Sequence, residues 1–145
     1  MNVKIKKLSP DAKLPVYGSQ YAAGADLFAC IEGDVAIAPH ETVMIPTGLA
    51  MELPVGYAGF IYARSGLASK KGLAPANKVG VVDCDYRGEV KVALHNHGGV
   101  AQTISCGERI AQIVVAPYVT AQFEEAEELS STIRGEGGFG STGTK

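Results

Sequence analysis

Nowhere in this chain does an apolar repeat of helical period run on. The one stretch that fits a helix is Ser65 to Lys71, enough for one or two turns with Ser65 as cap. What recurs instead is a short β-type run: Val3-Lys4-Ile5, Thr42-Val43-Met44-Ile45, Gly59-Phe60-Ile61-Tyr62, Val90-Lys91-Val92-Ala93-Leu94, and Arg109 to Val115. Turn clusters lie between them, such as Leu53-Pro54-Val55-Gly56, Tyr86-Arg87-Gly88 and His97-Gly98-Gly99. The chain has 18 Gly and 7 Pro, yet 46% of it is apolar, so it has a core to build. That pattern predicts an all-β sandwich or barrel with one short helix.

A chain of 145 residues has room for one such domain and little else. Its character changes at Glu124, where four glutamates give way to Ser130-Ser131-Thr132 and then to the run from Arg134 to Gly143. We therefore expect a β domain over residues 1–126 and a mobile C-terminal arm over 127–145, ordered only against a ligand or a neighbouring subunit.

The 13 basic and 15 acidic residues give a formal net charge of -2, which excludes a global field for nucleic-acid polymers or anionic membranes. Any anion site must be local. No apolar run approaches the roughly 20 residues of a membrane span. Three separated cysteines, Cys30, Cys84 and Cys106, build neither a disulfide framework nor a metal clasp, and a cytoplasmic location is expected. His95 and His97 could share a strand face, but two imidazoles are a weak zinc signal and read better as surface residues.

Four segments carry candidate chemistry. The arm contains Gly135-x-Gly137-x-x-Gly140, but the chain ends before the helix and acidic residue that a dinucleotide fingerprint requires. Gly138 and Gly143 have phosphate-loop spacing, yet Thr144 stands where lysine is needed. The physical content that survives is backbone N–H groups free to approach an anion, donors from Arg134, Ser141 and Thr142, and the aromatic face of Phe139. A disordered solubilising tail is the competing reading.

At Ala63-Arg64-Ser65-Gly66 an arginine and a hydroxyl meet a helix start, which suits phosphate but also suits a plain capped helix. Gly80-Val81-Val82-Asp83-Cys84-Asp85-Tyr86-Arg87-Gly88-Glu89 places two carboxylates after an apolar strand. If extended, Asp83 and Asp85 share a face and could activate a water; if a hairpin turn, Asp and Gly merely answer the backbone. Gln112 is a polar residue in the apolar strand that follows Gly107-Glu108-Arg109, facing either ligand or solvent.

Together with Ala23-Gly24-Ala25-Asp26-Leu27, and in this order, these segments resemble the five motifs of the trimeric dUTPase family, from about Gly24 to Gly143. The resemblance implies a jelly-roll-like fold, a homotrimer with sites at subunit interfaces, and magnesium-assisted hydrolysis of dUTP to dUMP and pyrophosphate. Such a reaction keeps uracil out of DNA and supplies dUMP for thymidylate synthesis. It further implies Asp83 as the base that activates water and Tyr86 as the residue packed beneath the deoxyribose. Uracil would be read by main chain around Gly80 to Val82 and Lys91 to Ala93, a hairpin, with Asn77 nearby. Arg64, Ser65, Gly66 and Gln112 would bind phosphates, and Asp26 would hold a water on the magnesium ion. Phe139 would stack on the base while Arg134, Gly140, Ser141 and Thr142 cover the γ-phosphate from another subunit.

Three rivals remain. A deoxycytidine triphosphate deaminase of the same fold needs an acidic residue in the base pocket, and Val90 to Leu94 carries none. A non-catalytic nucleotide-binding module would have no use for Asp83. A structural trimer of capsid type would use the tail only as a packing arm.

Overall fold

The computed structural model describes residues 1–138. Twelve strands and one helix alternate with turns: β1 (Lys4–Lys7), β2 (Val16–Tyr17), β3 (Ala25–Phe28), β4 (Val35–Ile37), β5 (Thr42–Pro46), β6 (Leu49–Glu52), β7 (Tyr57–Tyr62), α1 (Ser65–Lys71), β8 (Leu73–Pro75), β9 (Gly80–Val82), β10 (Lys91–Asn96), β11 (Gln102–Ile104) and β12 (Arg109–Pro117). The architecture expected from short runs and frequent turns is the one observed, jelly-roll-like with a single helix.

Four antiparallel sheets share the strands. The largest has the order β2-β3-β12-β7-β9; the others are β5-β10-β8, β1-β6 and β4-β11. Their inner faces meet on one core, in which Leu27, Ile37, Ile45, Leu73, Leu94 and Ile110 are fully buried. Full burial of side chains of this size is worth about 1.5–3 kcal/mol each. The two buried polar residues are satisfied. Thr47 donates its hydroxyl to the Val90 carbonyl at 2.6 Å, and the Asn96 amide donates to the carbonyls of Ile37 and Val100 at 3.0 and 2.8 Å.

Two local features position the site. First, β12 carries a bulge: Arg109 pairs with Phe28 and Ala111 with Leu27, so Ile110 is the extra residue. Plain alternation would put Arg109 on the face of Ala111 and Ile113, which is buried. The bulge resets the phase, and Arg109 emerges on the outer face with Gln112. Beyond it, Gln112 lies between Asp26 of β3 and Tyr62 of β7.

Second, the cap of α1 falls one residue before the expected one. Arg64 is the capping residue, with extended backbone (φ -89, ψ 129), and its carbonyl accepts from the Ala68 N–H at 3.0 Å. Ser65 is already helical and makes no capping bond, because the chain leaves β7 through Ala63 and turns only at Arg64. The helix ends at Gly72, whose φ of 66 is the left-handed value that glycine adopts without strain.

From Pro117, the last residue of β12, to Glu136 every residue is exposed, including Val119, Phe123, Leu129 and Ile133. Among the described residues no helix is long and apolar enough to cross a membrane.

Candidate active site

Two clefts gather the chemistry-bearing residues, and they have no lining residue in common. The first, about 420 Å³, lies along β9 and is bounded by Asn77, Gly80, Val82, Asp83, Tyr86 and Lys91. β9 is the edge strand of the large sheet, paired to β7 on one side only. Its other side therefore offers backbone groups that no ladder consumes. The hairpin expected between Gly80–Val82 and Lys91–Ala93 does not form as a ladder: β10 pairs with β5 and β8 in another sheet. The two legs diverge, and the cleft opens between them. Gly80 allows a close packing here, since a Cβ on it would sit 3.3 Å from both Asn77 Nδ2 and Ile61 Cβ.

Asp83 is part of the wall of this cleft. The segment after β9 is a turn, closed by the Tyr86 N–H donating to the Asp83 carbonyl at 3.2 Å. Extended geometry for Asp83 and Asp85 is thus replaced by a turn, and only Asp83 lines the cleft. The turn is held from three sides. Arg87 Nη1 donates to the carbonyls of Cys84 and Tyr86 at 2.7 and 3.1 Å; Tyr86 Oη donates to the Glu89 carbonyl at 3.0 Å; Cys84 Sγ lies 3.7 Å from Tyr118 Oη at the end of β12. The Tyr118 hydroxyl is raised above its ordinary pKa, first by its hydrogen bond with Cys84 and less by the nearby Asp83 and Asp85 carboxylates. Glu89 also lines the cleft, but its carboxylate accepts from the Gly48 N–H at 2.9 Å and pairs with Lys91 at 3.4 Å. It braces the wall.

The second cleft, about 340 Å³, is made of fixed charge. Asp26 Oδ1 accepts from Arg64 Nε at 2.7 Å and Oδ2 faces Arg109 Nε at 3.4 Å, with the Asp26 side chain only 13% exposed. One carboxylate thus orients two guanidiniums and offsets their mutual repulsion before any ligand arrives. Ser65 and Gly66 complete the rim, and a Cβ at Gly66 would meet nothing within 4 Å, leaving the backbone open to close approach. Gln112 donates from Nε2 to the Ala63 carbonyl at 2.9 Å, which ties β12 to the strand end that carries Arg64.

The structure thus groups Asp26, Arg64, Ser65, Gly66 and Gln112 in one place and Asn77, Gly80, Val82, Asp83, Tyr86 and Lys91 in another. Arg134 lies apart from both in an exposed turn, where its Nε donates to the Gly137 carbonyl at 2.7 Å. Phe139, Gly140, Ser141 and Thr142 lie outside the described residues. Sequence reasoning missed Arg109, whose face only the bulge reveals, and Gly24, where a Cβ would collide with Gln112 Oε1 and stand 3.3 Å from its Cβ.

No group of three His, Cys, Asp or Glu residues that could hold a metal directly occurs among the described residues. His95 and His97 make a T-shaped ring pair 4.4 Å apart, with His95 Nδ1 2.8 Å from the Thr42 hydroxyl. The His97 pKa is lowered, first by desolvation and then by His95 and Lys78.

Comparison with known proteins returns one answer. The family model for dUTPase matches residues 10–143. The deoxyuridine 5'-triphosphate nucleotidohydrolase of Hydrogenobaculum sp. (strain Y04AAS1) is 50% identical over 145 residues, covering 100% of both chains. That of Nautilia profundicola is 54% identical over 143 residues, covering 99% of each. Among solved structures, the dUTPase of Staphylococcus bacteriophage 80alpha with dUpNHpp is similar with a TM-score of 0.89 and 30% identity, covering 98% of each chain.

Proposed function

The chain belongs to the dUTPase family, and from that premise we propose that it hydrolyses dUTP to dUMP and pyrophosphate by attack of water on the α-phosphorus. The observation that carries this reading is the contrast between the clefts: one runs along a free strand edge and bears the Asp83 carboxylate in its wall, the other is a preset pair of arginines. A deoxynucleoside fits the first and a phosphate chain the second.

In the first cleft the uracil meets the free edge of β9 at Gly80 to Val82 and the start of β10 at Lys91, with Asn77 beside it. Tyr86 packs beneath the deoxyribose and leaves no room for a 2'-hydroxyl. Asp83 accepts a proton from the attacking water and holds it in line with the leaving pyrophosphate, a role worth about 10²–10⁴-fold in rate. In the second cleft Arg64, Ser65, Gly66 and Gln112, with Arg109 beside them, take the phosphates. Phosphoryl substitution asks for positioning and charge neutralisation more than covalent help, which is what these residues offer.

Because the clefts share no wall, we assign the complete site to the meeting of copies in a homotrimer, with Asp83 and Tyr86 from one copy and Asp26, Arg64 and Gln112 from another. The exposed apolar side chains of Val119, Phe123, Leu129 and Ile133 favour an arm that leaves its own domain for a neighbour. On that arm Arg134, Phe139, Gly140, Ser141 and Thr142 would close over base and γ-phosphate.

Magnesium fits this donor set in one way. The described residues offer no direct cage, but an ion carried by the triphosphate asks only for an acceptor on its water shell, and the Asp26 carboxylate keeps lone pairs free after pairing with two arginines. When bound, the ion neutralises phosphate charge. A cytoplasmic enzyme acting on free nucleotides is the setting this chemistry suits.

Pyrophosphate release measured with magnesium for each deoxynucleoside triphosphate and for UTP tests the reading. Release from dUTP alone is expected. Formation of dUTP and ammonia from dCTP, with dUTP left intact, would overturn it.

A further inference from the structure

Gly88 is a glycine that the backbone does not require. Its φ is not among the positive values of the described residues, unlike those of Gly48, Gly56 and Gly72, so its φ does not call for glycine. Space resists a side chain instead, because that of Tyr86 would have to shift. A Cβ on Gly88 would stand 2.5 Å from Tyr86 Cζ and 2.9 Å from Cε2, with Oη closer still. All three nearest atoms belong to the one tyrosine side chain, and real Cβ atoms do not approach so far.

The residue is tied to its own turn twice, through its backbone and through the outer end of its ring. The Tyr86 N–H donates to the Asp83 carbonyl at 3.2 Å, and its Oη donates to the Glu89 carbonyl at 3.0 Å, so the side chain spans residues 86 to 89 and lies across Gly88. Glu89 is itself immobilised by the Gly48 N–H and Lys91. One side of the ring rests on backbone; the residue is 45% exposed and lines the cleft along β9.

We propose that Gly88 is a specificity-determining residue, the seat that holds the Tyr86 ring rigid so that it can reject a ribose 2'-hydroxyl. This rests on the placement of Tyr86 against the sugar proposed above. A steric wall rejects one extra oxygen only if it cannot yield. A methyl group at position 88 lifts the ring off its seat, breaks the Oη bond to the Glu89 carbonyl, and leaves a side chain that can swing aside for the larger sugar.

The test compares kcat/KM for dUTP and UTP in the parent, Tyr86→Ala, Gly88→Ala and the double variant. Gly88→Ala is expected to lower the dUTP-to-UTP ratio by about tenfold or more, the scale set by one small group in a shaped pocket. The double variant should match Tyr86→Ala alone, because the seat acts only through the ring. A ratio unchanged in Gly88→Ala but collapsed in Tyr86→Ala would overturn the seat while leaving the sugar contact standing. A ratio unchanged in Tyr86→Ala would overturn both, and additive losses in the double variant would show that Gly88 does not act through Tyr86. If Gly88→Ala does not fold, Tyr86→Phe decides: it keeps the ring and removes only the bond to Glu89, and an unaltered ratio there would sink the proposal.

Discussion

The cleft along β9 and the cleft between β3 and α1 are of similar size, yet they are built from different materials. Along β9 the working surface is a strand edge, two apolar legs that diverge, and an aromatic ring lying on a glycine. Between β3 and α1 it is one carboxylate holding two guanidiniums, with an amide tied to the neighbouring strand end. The first is suited to recognition by shape and backbone hydrogen bonds, the second to recognition by charge. A uracil deoxynucleoside is neutral and must be told apart from close analogues, whereas a triphosphate needs only to be held. On the proposed reading, each end of the substrate meets the means that suit it.

If the reactive carboxylate belongs to the shape-reading cleft, Asp83→Asn should leave dUTP binding nearly intact and lower kcat by about 10²–10⁴-fold, as measured by single-turnover pyrophosphate release. Loss of binding with turnover per bound nucleotide preserved would move Asp83 to the charged cleft's kind of role.

The separation of the clefts can be broken by mixing subunits. Asp83→Asn and Arg64→Ala, each of low activity alone, should regain activity when co-refolded, because roughly a quarter of the sites in random mixed trimers then combine two intact halves. No recovery in mixed trimers confirmed by size and mass would place both clefts' residues in the same copy's site.

A smaller effect sharpens the charged cleft. Gly24→Ala should press on the Gln112 amide and disturb its bond to the Ala63 carbonyl, raising KM for dUTP about threefold to tenfold with kcat little changed. An equal fall in kcat would mean that Gln112 acts in the transition state.

The two clefts also differ in how far they could be read from sequence. Arg64, Ser65 and Gln112 announce themselves by chemical type, and their grouping follows from strands whose apolar runs were plain. Asp83 was visible for the same reason. Gly80 and Val82 are bland residues whose value comes from lying on an unpaired edge, a fact of sheet order that no local pattern carries. Gly88 reads in sequence as a turn former, whereas its reason is the ring above it. Ser65 looked like a cap because hydroxyls so often are, but the chain turns one residue earlier, at Arg64. The arm's chemistry rested on composition and motif order, and only Arg134 of its expected ligand contacts falls among the described residues.

The bulge at Ile110 makes the charged cleft depend on the shape of a single backbone step. Along β12 one residue sets the phase for all that follow, much as one nucleotide sets a reading frame. If the strand straightened with Ile110 kept, plain alternation would turn Arg109 toward the core or Gln112 away from Asp26, whereas deleting Ile110 would leave the two on one face and forfeit only a buried side chain. The charged cleft thus depends on a backbone irregularity that leaves no mark on the motif residues themselves.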